Sequence, residues 1–245
     1  TLGIGVERIL EQILGLGISL PGIVNPVQKM ITYSHALGVR DLPFWEIQSS
    51  FPWHCTFLND ANAGAFAEGI GSDLPSSFFY LSLSNTVGGA IFHDGNLLPG
   101  DAFRCGEAGH MTLIPDGKPC YCGKTGCVDA YCSARLLSDL SGGRLEDFFL
   151  GLQQNNPDYR SVWDTYLKHL AVVINNLHML LDYDIVLGGY VGSFLTPWLD
   201  TIRHLVAERN TFEDDGSFVK LCTYQTGAAA YGAAMDVMEE FLRTV

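Results

Sequence analysis

The stretch LGLGISLPG reads as a buried strand that ends in a turn at Pro21-Gly22, after a helix that closes over Leu10 to Leu14. A second apolar run, Cys55 to Leu58, predicts a strand with Asn59 and Asp60 at its carboxyl end and a helix from Ala61 to Gly69. Carboxyl ends of strands are where open α/β sheets place ligands. Phe78 to Leu83 and Ala90 to His93 flank the turn Ser84-Asn85-Thr86-Val87-Gly88-Gly89, which predicts a hairpin with a ligand-facing loop. Ala130 to Ser138 reads as helical. Between Ser161 and Leu181, apolar residues recur at the helical period through Trp163, Leu167, Leu170, Val173, Ile174, Leu177 and Leu181, and predict a long packing helix. His169 and His178 within it read as surface or core histidines rather than ligands. A short strand at Ile185 to Leu187 runs into Gly188-Gly189, and a helix follows from Leu195 to Arg209. The small residues from Gly227 to Ala234 permit close approach either to another helix or to a nucleotide. Strands and helices alternate, so the fold class is α/β.

Length and charge narrow the picture. The 245 residues, 47% hydrophobic, suffice for one large core or two smaller lobes, and no apolar run is long enough to span a bilayer. Acidic residues outnumber Lys and Arg by 27 to 14, a formal net charge of −13. That excess repels phosphate backbones, so these residues are not expected to bind DNA except through a basic module fused upstream.

The candidate chemistry concentrates between Cys105 and Ala134. His110, Cys120, Cys122 and Cys127 are the number and type of ligands that close a tetrahedral zinc site, with no open position for water. Gly123 and Gly126 supply backbone freedom to fold three sulfurs around one ion. Cys132, about a helical turn beyond Cys127, is an alternative fourth ligand, and disulfides are the competing use of the thiols. Seven cysteines, an odd and clustered set without a secretory signal in the sequence, point to a reducing, cytoplasmic setting and so to metal. Cys55, Cys105 and Cys222 are scattered and read as buried free thiols.

Gly106-Glu107-Ala108-Gly109-His110 followed by Cys120-Tyr121-Cys122-Gly123-Lys124-Thr125-Gly126-Cys127-Val128-Asp129 resembles the signature of the ROK family of sugar kinases and sugar-responsive repressors. The resemblance extends, in the family's order, over GLGISLPGIV at Gly15 to Val24, LNDANAGAFAEG at Leu58 to Gly69, IVLGGYVG at Ile185 to Gly192 and TGAAAYGAA at Thr226 to Ala234. It implies a two-lobed actin-like, ribonuclease-H-like ATPase fold with the zinc knot inserted and the first lobe truncated. The lobes would cover residues 1–74 and 75–226, with a boundary near Ser72 to Ser77. A C-terminal helix within 227–245 would return to the first lobe. The resemblance also implies a sugar site of Asn59, Asp60, Glu107, His110 and Asp129. In it one ring nitrogen of His110 holds the metal while the other faces the sugar. N-capping or solvation is the ordinary alternative for Asp60 and Glu107. The family usually carries Glu where Asp129 stands, and often Asn where Ala36 stands, so the sugar preference is expected to differ.

In a kinase of the family, Asp60 would be the general base that deprotonates a sugar hydroxyl, with ATP and Mg²⁺ as cofactors. The sugar half of that machinery is present, but the nucleotide half has eroded. The Asp-x-Gly-Gly-Thr phosphate loop does not occur in the 245 residues, and Ser84-Asn85-Thr86 stands where the family has Gly-Thr-Gly. Tyr190 follows Gly188-Gly189 in place of a third glycine, so Gly88, Gly188 and Gly189 mark a degenerate nucleotide site. That pattern is the repressor branch's, in which a helix-turn-helix module precedes a sugar-sensing domain that assembles as a dimer or tetramer.

Overall fold

The computed structural model describes residues 12–244. The helix expected at Leu10 to Leu14 lies partly outside them, and Gln12 to Leu14 are not helical. Strand β1, Leu16–Leu20, pairs in parallel with β5, Cys55–Asn59. Between them the chain forms an antiparallel sheet of β2 (Ile23–Asn25), β3 (Met30–Ser34) and β4 (Val39–Pro43) in the order β2-β3-β4, then the short helix Phe44–Gln48. Ile31 is buried in a core with Leu20 and Phe57, while Ser34, on the opposite face of the strand, is buried where its Oγ donates to the Pro21 carbonyl at 2.6 Å.

The largest sheet has five strands in the order β10-β9-β6-β7-β8, from Val219–Leu221, Asp184–Gly188, Phe78–Leu83, Val87–His93 and Asn96–Leu97. Strand β6 is buried along its whole length because the sheet is covered on both faces. Phe79, Leu81 and Leu83 point into the larger core with Trp163, Leu167, Leu170 and Ile174 of the helix Pro157–Leu181. Phe78 and Tyr80 point the other way, onto Ala65 and Ala228. Asn156 caps the long helix by accepting from the Asp158 and Tyr159 N–H groups, with Pro157 in the first turn where its missing N–H costs nothing. The predicted helix over Ala130 to Ser138 is two helices, Asp129–Cys132 and Ala134–Ser138, broken at the extended residue Ser133.

The helix Asp60–Gly71 touches the β1–β5 pair and the five-stranded sheet. A Cβ on Gly64 would meet the Tyr80 ring at 2.8 Å, and one on Gly69 the Phe92 ring at 2.2 Å, so only hydrogen allows this approach. On its other side lies the C-terminal helix, Ala228–Thr244, where Gly232 rests on the Ala63 carbonyl and Ala233 faces Gly17 of β1. The small-residue stripe from Gly227 to Ala234 thus serves helix packing for much of its length. Ser72 to Ser77 connects the helix Asp60–Gly71 to β6 without secondary structure of its own. No described helix is long and apolar enough to cross a membrane.

Candidate functional site: a polar cavity beside a Cys3His cluster

Asn59 ends β5 and caps the following helix: its Oδ1 accepts from the Ala61 and Asn62 N–H groups at 2.9 and 3.1 Å. Its Nδ2 donates to the Gly22 carbonyl at 2.9 Å, which ties β5 to the turn after β1. Asp60 is the first helical residue, and its Oδ1 accepts from Ala61 N–H at 3.0 Å. Burial nevertheless holds the Asp60 carboxyl above the usual carboxylate range, against the pull of the backbone N–H groups. Glu107 is raised as well, by burial first and then by the facing Asp60 charge, while Arg104 and His35 pull it down. Two carboxyl groups within Coulomb range, each favouring its proton, suit the recognition of sugar hydroxyls, which both donate and accept.

Asn59, Asp60, Glu107 and His110 all line one cavity of about 650 Å³, within the range of small-molecule sites. Its other wall comes from the β2-β3-β4 sheet, whose contribution the sequence pattern missed. Tyr33 and His35 stand on or just after β3, with Tyr33 Oη 2.8 Å from His35 Nδ1. The His35 ring meets the Tyr121 ring edge-on at 5.2 Å, so the sheet and the cysteine-rich loop touch across the cavity. Arg40, Asp41, Arg104 and Tyr121 are among the further lining side chains that sequence reasoning did not assign. The alternation over Met30 to Ser34 was the available signal, but pairing with Val39 to Pro43 is a tertiary fact.

His110, Cys120, Cys122 and Cys127 form a Cys3His cluster whose potential ligand atoms lie within 4.8 Å of one another. Cys132 is not part of it: this thiol is fully buried away from the cluster. The loop is shaped by its backbone. Cys120 N–H donates to Lys124 O, Gly126 N–H to Lys118 O and Leu113 N–H to Gly126 O. Gly126 has φ +79°, and a Cβ there would lie 1.9 Å from the Ile114 carbonyl oxygen, so no other residue fits. Burial raises the Cys120 thiol to about 12. Cys122 is lowered despite burial, by hydrogen bonds from Lys124 N–H and the neighbouring thiols. His110 Nε2 lies 3.3 Å from Tyr121 Oη, and its buried Nδ1 has no hydrogen-bond partner.

Two of the expected site residues stand elsewhere than in the linings expected for them. Asp129 is 5% exposed and does not line the cavity; its Oδ2 instead accepts from Val87 N–H at 2.6 Å. The helix that begins at Asp129 aims this short side chain at the start of β7. Gly88, expected on the nucleotide side, lines the cavity of Asp60 and Glu107, because the β6–β7 register sets it opposite Ser82, past the Ser84 to Thr86 turn. That turn lines a smaller cavity of about 320 Å³ together with Gly189, Tyr190, Gln225 and Thr226. Gly188 is outside that lining and packs under the Tyr80 ring. Asp60 borders both cavities.

An α/β protein with a parallel β1–β5 pair, a five-stranded mixed sheet and a ligand cavity at the strand ends matches the actin-like sugar kinase and repressor fold. A model described as "ROK family" matches residues 5–240, and the chain belongs to the ROK family. It is 27% identical over 263 residues to a glucokinase of Halalkalibacterium halodurans, an alignment covering 96% of this chain and 79% of the glucokinase. It is 29% identical over 194 residues to the xylose repressor of Bacillus spizizenii, covering 78% of this chain but 46% of the repressor. Among solved structures, a ROK family glucokinase from Streptomyces griseus, in complex with glucose and AMPPNP, superposes with a TM-score of 0.76 at 20% identity. That superposition covers 96% of this chain and 87% of the other. Kinases and repressors thus share this fold, and likeness alone does not separate them.

Proposed function

We propose that this chain is the sugar-sensing, oligomerising domain of a ROK-type transcriptional regulator, which binds a hexose or hexose derivative beside a structural zinc ion. The observation that carries this reading is the contrast between the cavity around Asp60 and Glu107 and the one at the Ser84 to Thr86 turn. The first, of about 650 Å³, is furnished with carboxyl, amide, imidazole, phenol and guanidinium groups. The smaller presents the side chains of Ser84, Asn85, Thr86 and Tyr190 where a triphosphate needs bare backbone N–H groups. Sugar binding would bias the arrangement of lobes or subunits, and DNA would be contacted by a separate module.

The cluster fits zinc on three counts. Its donors are three thiols and one imidazole, and the buried His110 Nδ1 lacks a partner that an ion would provide. A tetrahedron with Zn–S of ~2.3 Å has an S···S edge of ~3.8 Å, and Cys122 Sγ lies 3.8 Å from Cys127 Sγ. Bound there, the ion would supply a rigid positive anchor. His110 would then be held as the tautomer with hydrogen on Nε2, which points that N–H at Tyr121 Oη or at a sugar hydroxyl.

A second reading, an ATP-dependent sugar kinase with Asp60 as general base, is favoured by one observation: Asp60 borders both cavities and its carboxyl is raised toward the operating pH of a base. A coupled ATPase assay across a hexose panel separates the two. Sugar-induced stabilisation without turnover is the expected result, and turnover above ~1 s⁻¹, in the ordinary enzyme range, refutes the sensor.

A further inference from the structure

Tyr121 stands between Cys120 and Cys122, and its side chain lines the same cavity as Asp60, Glu107 and His110. Both flanking cysteines belong to the Cys3His cluster. Cys120 N–H donates to the Lys124 carbonyl, and Gly123 N–H donates back to the Cys120 carbonyl. The backbone on either side of Tyr121 is therefore held, and the ring leaves its place by rotation about its own side-chain bonds. That rotation has room, because the residue is 46% exposed.

The phenol occupies the nitrogen of His110 that a ligand would use. His110 Nδ1 is buried and has no hydrogen-bond partner among the described residues, as befits a nitrogen reserved for metal. Nε2 is left to meet a ligand, yet Tyr121 Oη already lies 3.3 Å from it. A tyrosine phenol is neutral at pH 7 and both donates and accepts, as a sugar hydroxyl does. The ring is also held from the opposite wall. His35, just after β3, meets the Tyr121 ring edge-on with centroids 5.2 Å apart, and its own ring lies 6.2 Å from that of His110. Tyr33 Oη fixes His35 in turn, 2.8 Å from Nδ1, and the Arg40 guanidinium lies 4.6 Å from the Tyr33 ring centroid. A row of side chains thus runs from β4 across β3 to the cysteine loop, and Tyr121 ends it on His110.

We propose that Tyr121 is an internal competitor of the ligand: its phenol stands in for a sugar hydroxyl on His110, and a sugar binds by displacing it. This rests on the sugar-binding reading and deepens it, since the contact sets the sugar concentration at which the site fills. Apparent affinity is the intrinsic affinity scaled by the fraction of free protein whose phenol is off His110. One neutral hydrogen bond holds that fraction to between about one half and one tenth. The handicap is the same for every sugar that reaches Nε2, because the contact is broken before any sugar-specific contact is made.

Tyr121→Phe keeps the ring and removes the oxygen, so the sign of its effect separates a stand-in from a group that touches sugar. Isothermal titration of the intact parent and variant, at equal zinc content, would use glucose, mannose, xylose, N-acetylglucosamine and N-acetylmannosamine. The variant should bind each sugar that the parent binds ~2- to 10-fold more tightly, and by a common factor. Weaker binding by the variant makes the phenol a sugar contact and overturns the proposal, as does affinity unchanged within ~1.5-fold. A second readout is independent of affinity. In protein labelled with 3-fluorotyrosine, the ¹⁹F resonance missing from Tyr121→Phe belongs to Tyr121, and saturating sugar should move it to the position of a solvent-exposed fluorotyrosine. A resonance that stays in place while sugar binds overturns displacement and leaves sugar sensing intact. Binding of no sugar by either protein refutes sugar binding itself, and the proposal with it.

Discussion

Asp129 separates a residue that touches sugar from one that holds the cavity wall. Its Oδ2 accepts from Val87 N–H at 2.6 Å in a buried setting, and Val87, Gly88 and Gly89 form part of the cavity lining. Asp129→Ala would leave that N–H buried and unpaired, which costs about 1–3 kcal/mol, plus a smaller loss of packing. At ~2–4 °C per kcal/mol for a domain of this size, the melting temperature should fall by ~2–12 °C. Asp129→Asn keeps an acceptor but exchanges a charge-assisted bond for a neutral one. It also relieves the burial that raises this carboxyl, so the two effects offset and the cost should stay below ~1.5 kcal/mol. Differential scanning calorimetry measures both variants, and titration with the panel above measures their sugar affinity. The structural role predicts that Asp129→Asn binds sugar within ~3-fold of the parent, because no hydroxyl contact is lost. Unchanged stability in Asp129→Ala together with abolished sugar binding in Asp129→Asn would refute this reasoning and return Asp129 to the sugar.

Asp60 yields a pH signature. Burial raises its folded-state pKa above the unfolded value, so its stabilising contribution is complete below the unfolded carboxyl pKa and is lost as pH rises through the folded one. Asp60→Asn should therefore raise the melting temperature at pH 7 and make little difference near pH 4, and a pH-independent difference would contradict the burial argument. For the cluster, the purified chain should carry about one zinc per chain by elemental analysis, with Cys127→Ser losing it. A chelator should then lower the melting temperature of the parent by at least ~5 °C and leave that variant unmoved; no bound metal and no chelator effect would count against zinc.

Much of the frame was determined by the sequence alone, because the signals are local. The strand-then-helix reading around Asn59 and Asp60 follows from an apolar run that gives way to an N-cap. The long helix follows from its 3.6 period, and the cysteine cluster from ligand type and glycine spacing within one loop. Tertiary structure decided the rest. Only the pairing of β3 with β4 brings Tyr33, His35 and Arg40 over the cavity, and only the contact between sheet and loop sets His35 against Tyr121. Motif spacing placed Asp129 in a sugar site, yet the helix that begins there turns its one-methylene side chain onto the Val87 backbone instead. Gly88 lines the cavity of Asp60 and Glu107 for a similar reason: in a hairpin the register, not the order of residues, selects the cavity a position faces. Local spacing encodes which groups a segment offers, whereas the direction in which each group points depends on register and packing between segments far apart in the chain.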